Sequence, residues 1–172
     1  MASLEQALEI SNNWFANGEF FAKLSSLVNI VTDSKNSVSS EDLASYYTDG
    51  LSDILTELGL QTKIIDNPIK GGPPFLIGKR IESSELNTIL LYGHGDTVPL
   101  QEGQWFEEII PNELKIIGDK IYGRGVADNK GQHLTNLLAL LSVLKIRKKL
   151  GFNLKIIFEM GEEIGSPGLF DL

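Results

Sequence analysis

The chain has 172 residues, room for one ordinary domain or part of a larger one, and 42% apolar with 22% charged residues excludes a disordered polypeptide. Fifteen Lys and Arg against 23 Asp and Glu give a net charge of −8, which argues against a nucleic-acid partner. Cysteine is absent, so disulfides, thiol nucleophiles and thiolate metal sites are excluded; with two histidines, His94 and His133, any metal site must rest mainly on carboxylates. The first ten residues carry Glu5 and Glu9 and do not read as a targeting segment. The most apolar stretch, residues 134–146, is broken by Thr135, Asn136, Ser142 and Lys145 and is too short and polar to span a bilayer. A soluble, cytoplasmic protein with no membrane partner is expected.

In chain order, Leu4, Leu8 and residues 10–15 predict an amphipathic helix ending near Gly18. Phe20, Phe21, Leu24, Leu27 and Val28 predict a second, and residues 32–40 a polar loop. Ser40 followed by Glu41 and Asp42 marks the start of a third helix, carrying Leu43, Tyr46, Tyr47, Leu51, Ile54, Leu55 and Leu58, weakened at Gly50 and stopped by Gly59. Strands follow at residues 61–65 and 75–81, separated by the Gly71-Gly72-Pro73-Pro74 turn. Residues 88–92 and 154–158 are continuous apolar runs, expected as central strands covered on both faces. Short strands at 114–117 and 120–122 flank a Gly118-Asp119 turn. Leu134, Leu137, Leu138, Leu141 and Leu144 form the apolar stripe of a long helix that ends among Lys145, Arg147, Lys148 and Lys149. Alternating strands and helices predict an α/β layered fold with a largely parallel sheet, its right-handed crossover running from Tyr122 through the long helix to Leu154.

Three polar clusters each follow an apolar strand: Gly93-His94-Gly95-Asp96-Thr97, Gly123-Arg124-Gly125 through Asp128-Asn129-Lys130-Gly131, and Gly161-Glu162-Glu163-Ile164-Gly165-Ser166-Pro167-Gly168. In open α/β sheets, ligands bind beyond the carboxyl ends of strands, so one crevice would gather one His, two Asp and two Glu. His94 and Asp96, two apart in extended chain, suit a ligand and its orienter; alone they fit a capping or surface His in a glycine-rich turn better. Asp128 has two oxygens with which to bridge cations, or caps the following helix. Glu162 and Glu163 suit a base and a ligand, or a solvated acidic turn. The glycines around Arg124 make no phosphate-binding loop, which leaves a nucleotide-binding module poorly supported. His133 reads as a helix-surface or partly packed residue rather than a ligand, and Trp105 and Phe106 as apolar anchors of a loop.

Taken together, the runs from Tyr92 to Pro99, Tyr122 to Gly131 and Glu159 to Gly168 resemble metallopeptidase family 20 in order and spacing. This is the di-zinc family of acetylornithine deacetylase, succinyl-diaminopimelate desuccinylase, glutamate carboxypeptidase, aminoacylases and carnosine-type dipeptidases. The resemblance implies a zinc-exopeptidase-like three-layer α/β/α sandwich with a mostly parallel central sheet. Two zinc ions would serve as cofactor, with cobalt or manganese as substitutes. It implies that His94 binds one zinc and is oriented by Asp96, that Asp128 bridges both and precedes a cis peptide, that Glu162 is the general base, and that Glu163 binds the other zinc. The reaction implied is amide hydrolysis of a small peptide or N-acyl amino acid; because later strands of the family lie outside these residues, an open sheet edge is expected to favour pairing into a homodimer. Against that pattern, residues 1–172 correspond to the N-terminal portion of the catalytic domain; two further ligands, the lid or dimerisation domain and the rest of the catalytic domain lie outside them. These residues alone are therefore expected to be inactive. The alternative is a non-enzymatic folded fragment, or an interaction module that binds metal weakly and depends on a partner.

Overall fold

Apolar spacing sets the first helices. α1 (Leu4–Ala16) buries Trp14, and α2 (Glu19–Asn29) buries Phe20, Leu24, Leu27 and Val28. A computed structural model of the protein describes residues 4–35, 39–106 and 108–172. The first three residues of the N-terminal reading and residues 36–38 of the expected polar loop thus lie outside the described residues. The expected third helix is built in three pieces: α3 (Ser40–Ser45), a π-helical turn (Tyr46–Leu51) and α4 (Ser52–Glu57). Its cap lies one residue earlier than expected, where Ser39 Oγ accepts the Asp42 N–H at 3.1 Å. The π turn contains Gly50, where a Cβ would stand 2.9 Å from a Leu27 methyl, and it buries the adjacent Tyr46 and Tyr47 together.

The strands fall close to their predicted places: β1 (Gln61–Ile65), β2 (Phe75–Arg80), β3 (Thr88–His94), β4 (Lys115–Ile117), β5 (Lys120–Tyr122) and β6 (Asn153–Glu159). Between β5 and β6 runs α5 (Lys130–Arg147), whose Leu134, Leu137, Leu138, Leu141 and Leu144 are all buried. α1 is pinned to α5 by the Trp14 indole N–H, which donates to Ser142 Oγ at 2.9 Å. The four-stranded sheet has the order β1-β2-β6-β3, and β4 and β5 form a separate hairpin.

The α/β class stands, with two differences in detail. The sheet is mixed rather than mostly parallel, since β1–β2 and β2–β6 are antiparallel and only β3–β6 is parallel. The short link between β1 and β2, residues 66–74, permits a hairpin return but no crossover. Leu76, Leu154, Ile156 and Phe158 point into the helical core, whereas Lys79, Leu90, Tyr92 and Lys155 occupy the other face and stay exposed. The described residues thus supply two of the three expected layers.

β6 is central, with Leu154, Ile156 and Phe158 at most 1% exposed. β3 is instead an edge strand, with Ile89 48%, Leu90 58% and Tyr92 43% exposed, which corrects the expectation of a strand covered on both faces. An apolar run records what the strand's sides can tolerate; it does not record which elements flank it. No described helix is long and apolar enough to cross a membrane.

Candidate active site

The parallel β3–β6 register aligns His94 with Glu159, so both strands deliver their following loops to the same end of the sheet. The β3 loop is held from below: Gly95 N–H donates to the Glu159 carbonyl at 2.9 Å, and Thr32 Oγ1 donates to the Gly95 carbonyl at 2.6 Å. The third loop reaches this end through a turn in which Gly125 has φ 84°, a backbone that side chains rarely adopt. Asp128 then precedes α5, and the Asp128–Asn129 peptide is cis.

His94 is the meeting point. Its Nδ1 lies 3.1 Å from the Asp96 carbonyl oxygen and 3.3 Å from Asp96 Oδ1, and its Nε2 lies 3.1 Å from Asp128 Oδ1 and 4.0 Å from Glu162 Oε2. Asp96 is fully buried and does a second job, accepting the Glu162 N–H on one oxygen and the Glu163 N–H on the other, each at 3.1 Å. One carboxylate therefore fixes both the imidazole and the acidic turn that follows β6.

The structure thus joins His94, Asp96, Asp128 and Glu162. Glu163 lies in the same electrostatic field without closing on them. Among the described residues, no three His, Asp or Glu side chains converge closely enough to hold a metal ion, so the expected meeting of His94, Asp128 and Glu163 is not formed. Burial, with the charges of Asp128 and Glu162, raises the Glu163 carboxyl above its ordinary range. The donor chemistry nevertheless fits a divalent cation. Burial by itself would depress the His94 imidazole; the hydrogen bond and charge of Asp96, the Asp128 hydrogen bond and the Glu162 charge outweigh it and lift the pKa to about 9. A bound proton there neutralises an excess of carboxylate, and a metal can displace it.

Several residues of this region escaped the sequence reading. His133 is 1% exposed, which corrects the helix-surface expectation, and burial pushes its pKa down to about 3. Its signal was available, since it stands four residues before Leu137 on the buried stripe. Lys130 is also buried, donating to the carbonyls of Leu27 at 2.9 Å and Ile30 at 2.7 Å; burial lowers it to about 7, against the charge of Asp96. Glu159 takes the Tyr92 hydroxyl at 2.6 Å and the Ser166 hydroxyl at 2.9 Å. Trp105 does anchor its loop, donating to the Leu100 carbonyl at 2.9 Å under the Arg124 guanidinium, and Phe106, though 52% exposed, packs edge-on against the Tyr122 ring with centroids 5.0 Å apart.

Comparison with known proteins adds a family to this geometry. Residues 90–171 match the model of Peptidase family M20/M25/M40. The chain is 36% identical over 101 residues to the Beta-Ala-His dipeptidase of Mus musculus, covering 58% of this chain and 20% of that protein. It is 34% identical over 129 residues to the Cys-Gly metallodipeptidase DUG1 of Candida albicans, covering 72% and 26%. The crystal structure of human carnosine dipeptidase 1 matches with a TM-score of 0.81 at 27% identity, over 96% of this chain and 36% of that one. The chain thus spans between 20% and 36% of the length of these relatives.

Proposed function

The chain belongs to peptidase family M20/M25/M40, and from that membership we propose that the protein hydrolyses amide bonds with two zinc ions, taking dipeptides in preference to N-acyl amino acids. The observation that carries the reading is the contact of His94 Nε2 with Asp128 Oδ1 at 3.1 Å, with Glu162 Oε2 4.0 Å from the same nitrogen. The names of the relatives, Beta-Ala-His and Cys-Gly dipeptidases, support the dipeptide preference.

In this reading His94, Asp128 and Glu163 would hold the metal, with Asp128 as the ligand common to both ions. When bound, zinc supplies Lewis acidity to the scissile carbonyl and makes water acidic enough to attack near neutral pH. Glu162 is the general base. Its side chain is 46% exposed, open to substrate, while its backbone N–H is fixed on Asp96. It takes the proton of the attacking water and returns it to the leaving amine. Asp96 holds the imidazole by Nδ1 and leaves Nε2 turned toward Asp128 and Glu162.

The proposal extends to the 172 residues by themselves. Three ligands shared between two ions give each ion two, fewer than the three protein ligands usual for a catalytic zinc. These residues alone would therefore retain little zinc through dialysis and show no turnover. The decisive test is a chimera in which they replace the matching part of human carnosine dipeptidase 1. It should retain zinc and hydrolyse β-Ala-His and Cys-Gly, and Glu162→Gln should abolish turnover while leaving the zinc in place. A folded chimera without zinc or turnover would reject the reading.

A further inference from the structure

His133 is the one histidine the proposed chemistry does not use, and it is wholly enclosed with Tyr46, at 1% and 0% exposure. One unambiguous donor fixes every proton around it. The His94 N–H can only donate, so the Asn129 atom 3.2 Å away is the amide oxygen. The same Oδ1 lies 3.0 Å from His133 Nδ1, which must then carry the hydrogen. Nε2 is left as the acceptor for the Tyr46 hydroxyl at 2.6 Å. Asn129 Nδ2 completes the set by donating to Gln132 Oε1 at 2.6 Å, consistent with that amide orientation. The path therefore runs from Tyr46 to His133 to Asn129 to the backbone of His94. Asn129 is also the residue joined to Asp128, so one carboxamide is coupled to both members of the 3.1 Å His94–Asp128 contact.

The glycines on either side of His94 report the same arrangement. Neither Gly93 nor Gly95 has a positive φ, so backbone freedom is not what they provide. They provide space. A Cβ on Gly93 would stand 2.7 Å from the Phe158 ring and 3.1 Å from Asn129 Oδ1, and one on Gly95 would stand 2.5 Å from the Tyr46 ring. The His133 ring itself packs against Phe158 and Tyr46, with centroids 5.0 and 5.8 Å apart. Gly-His-Gly is thus shaped by the groups that close around it.

We propose that His133, acting through Asn129, is a positioning residue for the His94–Asp128 pair, working as the neutral Nδ1–H tautomer. The proposal rests on the metal-site reading above for its consequence, since fixing that pair presets two zinc ligands; the network itself is independent of it. Outer partners that orient metal ligands are typically worth 10–100-fold in affinity. His133 acts one step further out, so an effect of about tenfold is expected.

Two substitutions separate positioning from packing. His133→Asn places an amide N–H near the position of Nδ1–H and keeps the bond to Asn129. His133→Gln places its amide nearer Nε2 and loses that bond. Zinc binding to the chimera with human carnosine dipeptidase 1, measured by competition with a chromophoric chelator, should weaken about tenfold in His133→Gln and stay near wild type in His133→Asn. Hydrogen exchange of the His94 amide should accelerate in the first variant only. Equal behaviour of the two folded variants would reduce His133 to a packing residue and overturn the proposal. Should neither variant fold, nitrogen-15 NMR of the wild-type chain decides: an Nδ1–H tautomer near neutral pH supports the network, and an Nε2–H tautomer rejects it. A folded carnosine dipeptidase 1 chimera that binds no zinc, while the chain shows the tautomer and the Gln-specific change at the His94 amide, would reject the metal reading and leave the positioning network intact.

Discussion

Glu82 and Asp96 stand at opposite ends of β6, and each accepts two consecutive backbone N–H groups. Glu82 takes those of Leu150 at 2.7 Å and Gly151 at 2.9 Å ahead of the strand; Asp96 takes those of Glu162 and Glu163, both at 3.1 Å, beyond it. What differs is the counter-charge. Glu82 is paired at 3.0 Å with Arg80, a cation that does not release its proton. Asp96 faces His94 at 3.3 Å, whose proton is exchangeable. Burial works against ionisation of Glu82, but the two N–H groups and Arg80 prevail and hold its carboxyl below the usual value of 4.5. The same clamp is therefore tied to a permanent charge at one end of β6 and to an exchangeable proton at the other.

The comparison can be broken or sharpened by mutation. Asp96→Ala should have the largest effect, about 3 kcal/mol or more, because it strands the Glu162 and Glu163 N–H groups and removes the imidazole's partner. Urea unfolding would measure it, and a loss smaller than that of Glu82→Gln would mean the site's clamp carries less load than the structural one. Gly95→Ala probes the same loop by crowding the Tyr46 ring and the Met160 sulfur, at about 2 kcal/mol in thermal unfolding. Glu82→Gln should cost about 1–2 kcal/mol near neutral pH, because the clamp loses its charge. The folded-state pKa of Glu82 is lowered, so its contribution is present above the ordinary carboxylate range and is lost as pH falls through the folded value. The stability gap between wild type and Glu82→Gln should accordingly narrow on acidification. Glu162→Gln should be the smallest, within about 0.5 kcal/mol, because this half-exposed carboxylate holds no backbone group.

The elements themselves were legible, because strand and helix periods are local properties. Leu134 to Leu144 announces α5, and 154–158 announces the core strand. The three clusters were legible for a related reason: each sits where an apolar run gives way to glycine and acid. What could not be read is the arrangement between distant segments. The edge position of β3 depends on the strand order, which the composition of residues 88–92 does not encode. The Tyr46–His133 bond links residues 87 apart, and only the helical phase of His133 with Leu137 hinted at it.

Between Tyr46 and Leu51 the helix is π-helical, its hydrogen bonds spanning five residues rather than four, and this lets neighbours in sequence serve different parts of the interior. Tyr46 is given to α5, while the Tyr47 hydroxyl stands 3.1 Å from the Pro74 carbonyl and 2.9 Å from that of Phe158. Segment length is therefore a constrained quantity here, as much as side-chain identity. Deleting a single residue from 46–51 would restore a regular helix and put the packing of α4 and β1 one step out of phase. Substituting the exposed Thr48 would leave that phase untouched. The turn acts as a spacer: it tolerates changes of letter on its outer side and none of count.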